Sequence, residues 1–251
     1  MENKKKFSCT VILTSCIKPE GIPFLKRSSE NVRLEDYKKA FQMWSKNEFV
    51  DKIIFIENSG YDLNFFHQEA KKFPEKKIEI LSCNENNNFD KSLGKGFGEH
   101  LCFKEILDKS KIFIESNFFV KVSGRYYINN YSTIIKEFEK KKSEIFIYLK
   151  NNLTYADSHF FGGSKNFFLN YVVPFSSKVD DTNNIYMENC LAKAALHAVN
   201  NNLKFNNIEA YPDIDGFIGT NNKEIKNNLI KKLKLYFFGK IKNYFYGNKR
   251  Y

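Results

Sequence analysis

The sequence predicts an α/β domain built around a largely parallel sheet. Short runs of apolar and β-branched residues alternate with stretches whose apolar residues recur at helical spacing. Most of these pieces end on turn-forming residues. The chain has 251 residues, 42% of them hydrophobic and 16% aromatic, enough for one substantial core and unlike a disordered composition.

The elements follow in order. "FSCTVILTSCI" (7–17) reads as a buried strand, and "KPEGIP" breaks it. "RLEDYKKAFQMWSKN" (33–47) places Leu34, Tyr37, Ala40, Phe41 and Trp44 on one helical face. "DKIIFIENSG" (51–60) is a second strand ended by a turn, "DLNFFHQEAKKF" (62–73) a second helix, and "KKIEILSCN" (76–84) a third strand. "GKGFGEHLCFKEILDKS" (94–110) is a glycine-punctuated loop entering a helix. "KIFIESNFFVKVSG" (111–124) predicts one or two strand segments. A helix over 131–142 and an extended stretch over 143–150 come next. "DSHFFGGSKNFFLNYV" (157–172) predicts a Gly-Gly turn followed by a helix, and "IYMENCLAKAALHAVNNN" (185–202) an amphipathic helix. No repeat or linker divides the chain, so one domain over 1–228 and a basic tail over 229–251 are expected.

The formal charge of +11 favours anionic partners: nucleotides, nucleic acid or an acidic membrane face. Cys9, Cys16, Cys83, Cys102 and Cys190 are scattered, with no CxxC pair and no metal-ligand spacing, which reads as reduced thiols in a cytoplasm. The opening "MENKKKFSCTVILTSC" is read as a first strand in preference to a signal peptide, because its apolar stretch is short and broken by polar residues. No run approaches the roughly 18–20 apolar residues that span a bilayer.

Several segments, in this order, resemble bacterial glycosyltransferases of the GT-A fold that build O-antigen, capsule or lipooligosaccharide. They are "VILTSCIKP", "IIFIENSG", "GKGFGE", "VKVSGRYY", and "DSHFFGG" followed by "YMENCLAKAAL", covering roughly residues 8–200. The resemblance implies a GT-A-like domain, a nucleotide-sugar donor and a glycan or lipid-linked acceptor. It places the nucleotide near Thr14, Ser15, Cys16, Asn58 and Ser59, with Lys95 as a donor contact. It puts Glu188, early in a helix, where many inverting members keep their base, with Asp157 as the fallback base and His159 on the acceptor side. An acidic residue in a first helical turn also serves the helix dipole, and His159 could equally be a structural histidine.

One departure is large. Most GT-A enzymes hold a divalent metal on the diphosphate through Asp-x-Asp at a strand end, where this chain has "KVSGR". The Asp213–Ile214–Asp215 triplet comes late, and "PDIDG" reads as a turn more readily than as a metal site. A departing diphosphate develops negative charge, which Lys and Arg can stabilise as a metal would. Lys121, Ser123 and Arg125 are therefore candidate diphosphate-binding residues, with no metal cofactor favoured. The alternative is ordinary surface charge at a strand end.

The tail "LIKKLKLYFFGKIKNYFYGNKRY" would form a basic amphipathic helix suited to an anionic membrane. Docking on the domain, or binding of single-stranded nucleic acid, would use the same residues. The competing functions are a sugar nucleotidyltransferase and a non-enzymatic nucleic-acid-binding module. No recognised nucleic-acid motif is present, so no such partner is expected.

Overall fold

The computed structural model describes residues 8–22, 25–206, 210–225 and 237. The elements are β1 (Thr10–Ser15), α1 (Glu30–Lys46), β2 (Lys52–Glu57), α2 (Asn64–Ala70), β3 (Lys77–Ser82), α3 (Lys95–Lys109), α4 (Lys111–Glu115), β4 (Phe118–Ser123), β5 (Tyr127–Ile128) and α5 (Tyr131–Lys141). They continue with β6 (Ile145–Phe146), β7 (Leu149–Lys150), β8 (Tyr155–Ala156), β9 (Phe160–Ser164), α6 (Lys165–Phe167), α7 (Val173–Ser176), α8 (Met187–Asn200) and β10 (Ile214–Asp215).

The main sheet has the order β3-β2-β1-β4-β9-β6. β1 to β4 run parallel, and β9 lies antiparallel to β4 and β6. The predicted α/β class with a mostly parallel sheet is what the chain adopts. The central strands β1 and β2 are apolar at successive positions because both faces are covered. Val11, Leu13, Ile53 and Phe55 pack with α1, α2 and α5 residues such as Phe41, Phe66 and Ile134. Ile12, Ile54 and Ile56 enter the opposite core with Phe103 of α3 and Leu191 of α8. Period-two alternation thus feeds two hydrophobic layers from one sheet.

Two predicted segments behave differently. "KIFIE" (111–115) is the short helix α4 and not a strand; Ser110 Oγ caps it by accepting from Phe113 N at 3.0 Å. The Gly-Gly of "FFGGS" is not a turn but the middle of β9. A Cβ on Gly162 would lie 2.2 Å from the Phe119 carbonyl oxygen, so the glycine permits close approach of β4.

"PDIDG" also differs from the predicted turn. Ile214–Asp215 forms β10, antiparallel to β5, and Asp215 pairs with Lys39 at 3.1 Å. The segment 210–225 runs beside the C-terminal end of β4 and donates no metal-binding pair to it. Apart from Phe237, the basic tail lies outside the described residues. Among the described residues, no helix is long and apolar enough to cross a membrane.

Candidate active site

The chain leaves β1 towards β2 and β3, then returns to place β4 on the other side of β1. Such a switch in strand order opens a crevice at the carboxyl ends of the strands. A cleft opens there, with about 870 Å³ of space including its mouth. Its walls include Thr14, Ser15 and Cys16 at the end of β1, Asn58 just past β2, and Ser123 and Arg125 at the end of β4. Lys95 and Glu99 of α3, His159, and Glu188 of α8 complete the rim.

Local geometry fixes these residues. Gly124 N donates to the Thr14 carbonyl at 2.8 Å, and a Cβ there would lie 2.8 Å from the same oxygen. Gly124 thus lets the ends of β1 and β4 touch. Glu57, fully buried, accepts hydrogen bonds from the Ile17, Ser59 and Tyr61 backbone N–H groups and from Ser59 Oγ. One carboxylate therefore ties the loop after β1 to the loop after β2. Asn58 Nδ2 donates to the Gly98 carbonyl at 3.0 Å, while its Oδ1 is buried without a partner. A buried lone acceptor costs free energy unless a ligand donor reaches it.

Two guanidinium groups dominate the electrostatics. Arg33 is 4% exposed and donates to the Cys16 carbonyl through Nε at 2.8 Å and to Tyr37 Oη at 2.8 Å. Arg125 Nε donates to the Phe217 carbonyl at 3.0 Å, and its Nη2 lies 3.4 Å from Tyr126 Oη. Both line the cleft, and neither forms an ion pair among the described residues. Neutral carbonyls and phenols satisfy their N–H groups but leave the charges uncompensated. Burial pushes the Cys16 thiol up to about 12, although Arg33 pulls the other way.

Lys121, expected from sequence as a diphosphate-binding residue or a surface charge, is buried and already paired. It is 1% exposed, pairs with Glu99 Oε1 at 2.6 Å and donates to the Ser158 carbonyl at 2.8 Å. The strand turns its side chain onto the α3 face, under the cleft floor, where Thr14 Oγ1 also donates to Glu99 at 2.8 Å. Ser123 and Arg125 line the cleft as expected positions, and Lys95 stands exposed on its rim.

On the opposite wall Ser158 Oγ donates to Glu188 Oε1 at 2.7 Å. Asp157 is buried, and both its oxygens are engaged. Oδ1 accepts from His159 N at 3.1 Å and faces His159 Nδ1 at 2.8 Å; Oδ2 accepts from Lys150 Nζ at 2.8 Å and Tyr211 Oη at 3.2 Å. Burial opposes ionisation, but His159 and Lys150 outweigh it and hold the Asp157 carboxyl well below the usual range. Such a carboxylate is a poor proton acceptor, which argues against its sequence reading as a fallback base. The Nδ1 contact leaves His159 Nε2 free at the cleft wall.

Arg33, Tyr37, Glu57, Glu99 and Ser158 were not singled out from sequence as site residues. Arg33 sits among polar residues in "ENVRLED" and looks solvated. Glu57 carried a usable signal, an acid ending an otherwise apolar strand.

No family model and no curated protein matches the chain. Among solved structures, the inositol-1-phosphate CTP transferase from T. maritima shares 13% identity at a TM-score of 0.44, over 78% of this chain and 83% of that one. A putative nucleotide-diphospho-sugar transferase from Desulfovibrio desulfuricans G20 shares 12% at 0.41, over 79% and 78%. S. aureus TarS shares 11% at 0.41, over 68% of this chain and 33% of that one. At these scores none of the likenesses assigns an activity to this chain.

Proposed function

We propose that this protein is a glycosyltransferase that takes a sugar from a nucleotide-sugar donor, without a metal, and inverts the anomeric centre. The observation that carries the reading is the pair of guanidinium groups, buried Arg33 and half-buried Arg125, which have no ion-pair partner among the described residues and line a cleft at the switch point of the sheet. An uncompensated buried cation favours an anionic ligand, and a planar guanidinium suits phosphate oxygens. Asn58 Oδ1 offers a buried, unpartnered acceptor that a nucleobase N–H could use.

The residues do not fit the divalent ion that GT-A enzymes commonly hold. Lys121 and Ser123 occupy the strand end, Asp215 is committed to Lys39, and no cluster of three or more His, Cys, Asp or Glu is arranged for an ion among the described residues. No step is therefore routed through a metal.

In the proposed step the acceptor oxygen bonds to the anomeric carbon. The bond from that carbon to the phosphate oxygen breaks, and its electron pair leaves with the nucleoside diphosphate. Arg125 and Lys95 face the charge that develops there. The acceptor proton passes to Glu188, whose Oε1 is steadied by Ser158. His159, oriented by Asp157, contacts the acceptor. The acceptor is a glycan or lipid-linked saccharide of the bacterial surface, which follows the resemblance in the sequence, and an anionic membrane, which follows the basic tail, would hold the protein close to a lipid-linked one.

A sugar nucleotidyltransferase would use the same cations on a nucleoside triphosphate. The released product separates the two. Turnover of a panel of UDP-, GDP-, CMP- and dTDP-sugars with mixed acceptors should release the free nucleotide and survive EDTA. Release of inorganic pyrophosphate from a nucleoside triphosphate and a sugar 1-phosphate, with no transfer from any nucleotide sugar, would replace the proposal by the nucleotidyl reading.

A further inference from the structure

Arg27 stands shortly before α1 and does not line the cleft, yet it grips the segment that holds Arg125. Its side chain is 11% exposed. Nε and Nη2 donate to the two oxygens of Asp36 on α1, at 2.6 and 2.7 Å. Nη1 donates to Asn222 Oδ1 at 2.6 Å, and the guanidinium lies over the Phe217 ring, 4.1 Å from its centroid. The backbone takes part as well. Arg27 N donates to the Gly219 carbonyl at 3.0 Å, and Arg33 Nη1 donates to the Arg27 carbonyl at 3.1 Å. The bland reading is an ion pair that ties a loop to the next helix. Asp36 alone would serve that, without the contacts to Phe217, Gly219 and Asn222.

The gripped segment folds back on itself. Ile218 N donates to the Lys223 carbonyl at 2.8 Å, and Ile225 N to the Gly216 carbonyl at 2.9 Å. The Phe217 carbonyl accepts from Arg125 Nε at 3.0 Å. A Cβ on Gly219 would lie 3.0 Å from Arg125 Nη2 and 3.2 Å from Cδ1 of Leu25, which lines the cleft, so these three pieces pack closely. Asp36 bears on the same guanidinium. With Lys39, Asp215 and Phe217 it lines a small second cavity that Arg125 also borders. A free carboxylate there would compete with a ligand for Arg125. Both Asp36 oxygens are taken by Arg27, and Asp215 pairs with Lys39 at 3.1 Å.

We infer that Arg27 is a positioning residue of the anion site. Through Phe217 it fixes where the Arg125 guanidinium stands, and by holding Asp36 it leaves that charge for a phosphate. Arg27 itself touches no ligand. That the anion is a diphosphate rests on the nucleotide-sugar reading; the placement of Arg125 does not.

Two measurements on the full chain test this. The first needs no ligand: NMR follows hydrogen exchange of the Arg125 Nε–H, assigned by its loss in Arg125→Lys. Arg27→Met should speed that exchange by about tenfold or more. Arg27→Lys keeps a charge beside Asp36 but not the fork, so it should melt closer to wild type and still exchange faster. The second is calorimetric titration with inorganic pyrophosphate and with UDP, GDP, CDP and dTDP. Arg27→Met should weaken pyrophosphate binding about five- to tenfold. Added to Arg125→Met, it should cost less than about twofold more, because both act through one guanidinium. Should Arg27→Met not fold, Arg27→Lys is held to the same criteria in both measurements. A lower melting temperature with unchanged Nε–H exchange in the Arg27 variants would make Arg27 structural only and overturn the inference. Losses that multiply in the double variant would overturn it too, as would a wild type that binds no pyrophosphate. If pyrophosphate behaves as expected and no nucleoside diphosphate binds, the role of Arg27 stands and the nucleotide reading fails.

Discussion

Arg125 shows how a single side chain can be both fastened and available. Its Nε is anchored on the Phe217 carbonyl, while its guanidinium borders the cleft with no carboxylate beside it. Replacing Arg125 by Met should weaken nucleoside diphosphate binding by about 10- to 100-fold, the scale of one charged hydrogen-bonding contact, as read by titration. Glu188→Gln should lower kcat by about 10²–10⁴ while leaving donor binding nearly unchanged, if it takes the acceptor proton. His159→Ala should act mainly on the acceptor KM. A larger kcat loss for His159→Ala than for Glu188→Gln would exchange the two roles. The arginine at 125 was legible because a turn glycine and a cation stood together at a strand end. Lys121 was misread for a physical reason. Sequence alternation gives the face of a strand but not its depth, and Glu99, 22 positions earlier in sequence, is what makes a buried lysine tolerable.

At the scale of elements, β9 is the piece whose sequence misleads most. "FFGGS" offers turn chemistry, yet the two glycines are required because β4 and the Glu144 carbonyl crowd them. Gly162→Ala should destabilise the fold by about 2–3 kcal/mol, since the clash is with backbone and cannot be relieved by a rotamer change. Urea unfolding monitored by circular dichroism would measure it, and an unchanged midpoint would show that the strands can separate without cost. "KIFIE" misleads in the other direction. Its residues favour a strand by propensity, but Ser110 caps the first turn and Ile112 and Phe113 find the α3 face of the core. Strands β1 and β2 were legible within a few residues because each is a nearly continuous apolar run, and β3 because its isoleucines alternate with polar residues before a turn.

Over the whole molecule, His100 couples stability to pH. It is buried, its Nδ1 lies 2.9 Å from Ser176 Oγ, and burial lowers its pKa to about 4 from an ordinary 6.5. The unfolded chain therefore binds this proton more readily than the folded one. Stability from this group is complete above about pH 6.5 and falls as the pH drops towards 4, by up to about 3 kcal/mol. His100→Gln should flatten that part of the stability-against-pH curve measured by denaturant unfolding; an unchanged slope would mean that other groups control it. The layered α/β plan could be read from period and punctuation. The meeting of Arg33 and Arg125 at the cleft could not, because they stand on a helix and past a strand end, far apart in sequence.

The hold of the Phe217 carbonyl on Arg125 bears on synthesis. The strands that wall the cleft emerge from the ribosome well before residue 217, so the walls can form while the arginine still lacks its anchor. A nascent chain that has not reached residue 217 would carry the guanidinium without that anchor, and full affinity for polyanions should come only once that carbonyl is in place.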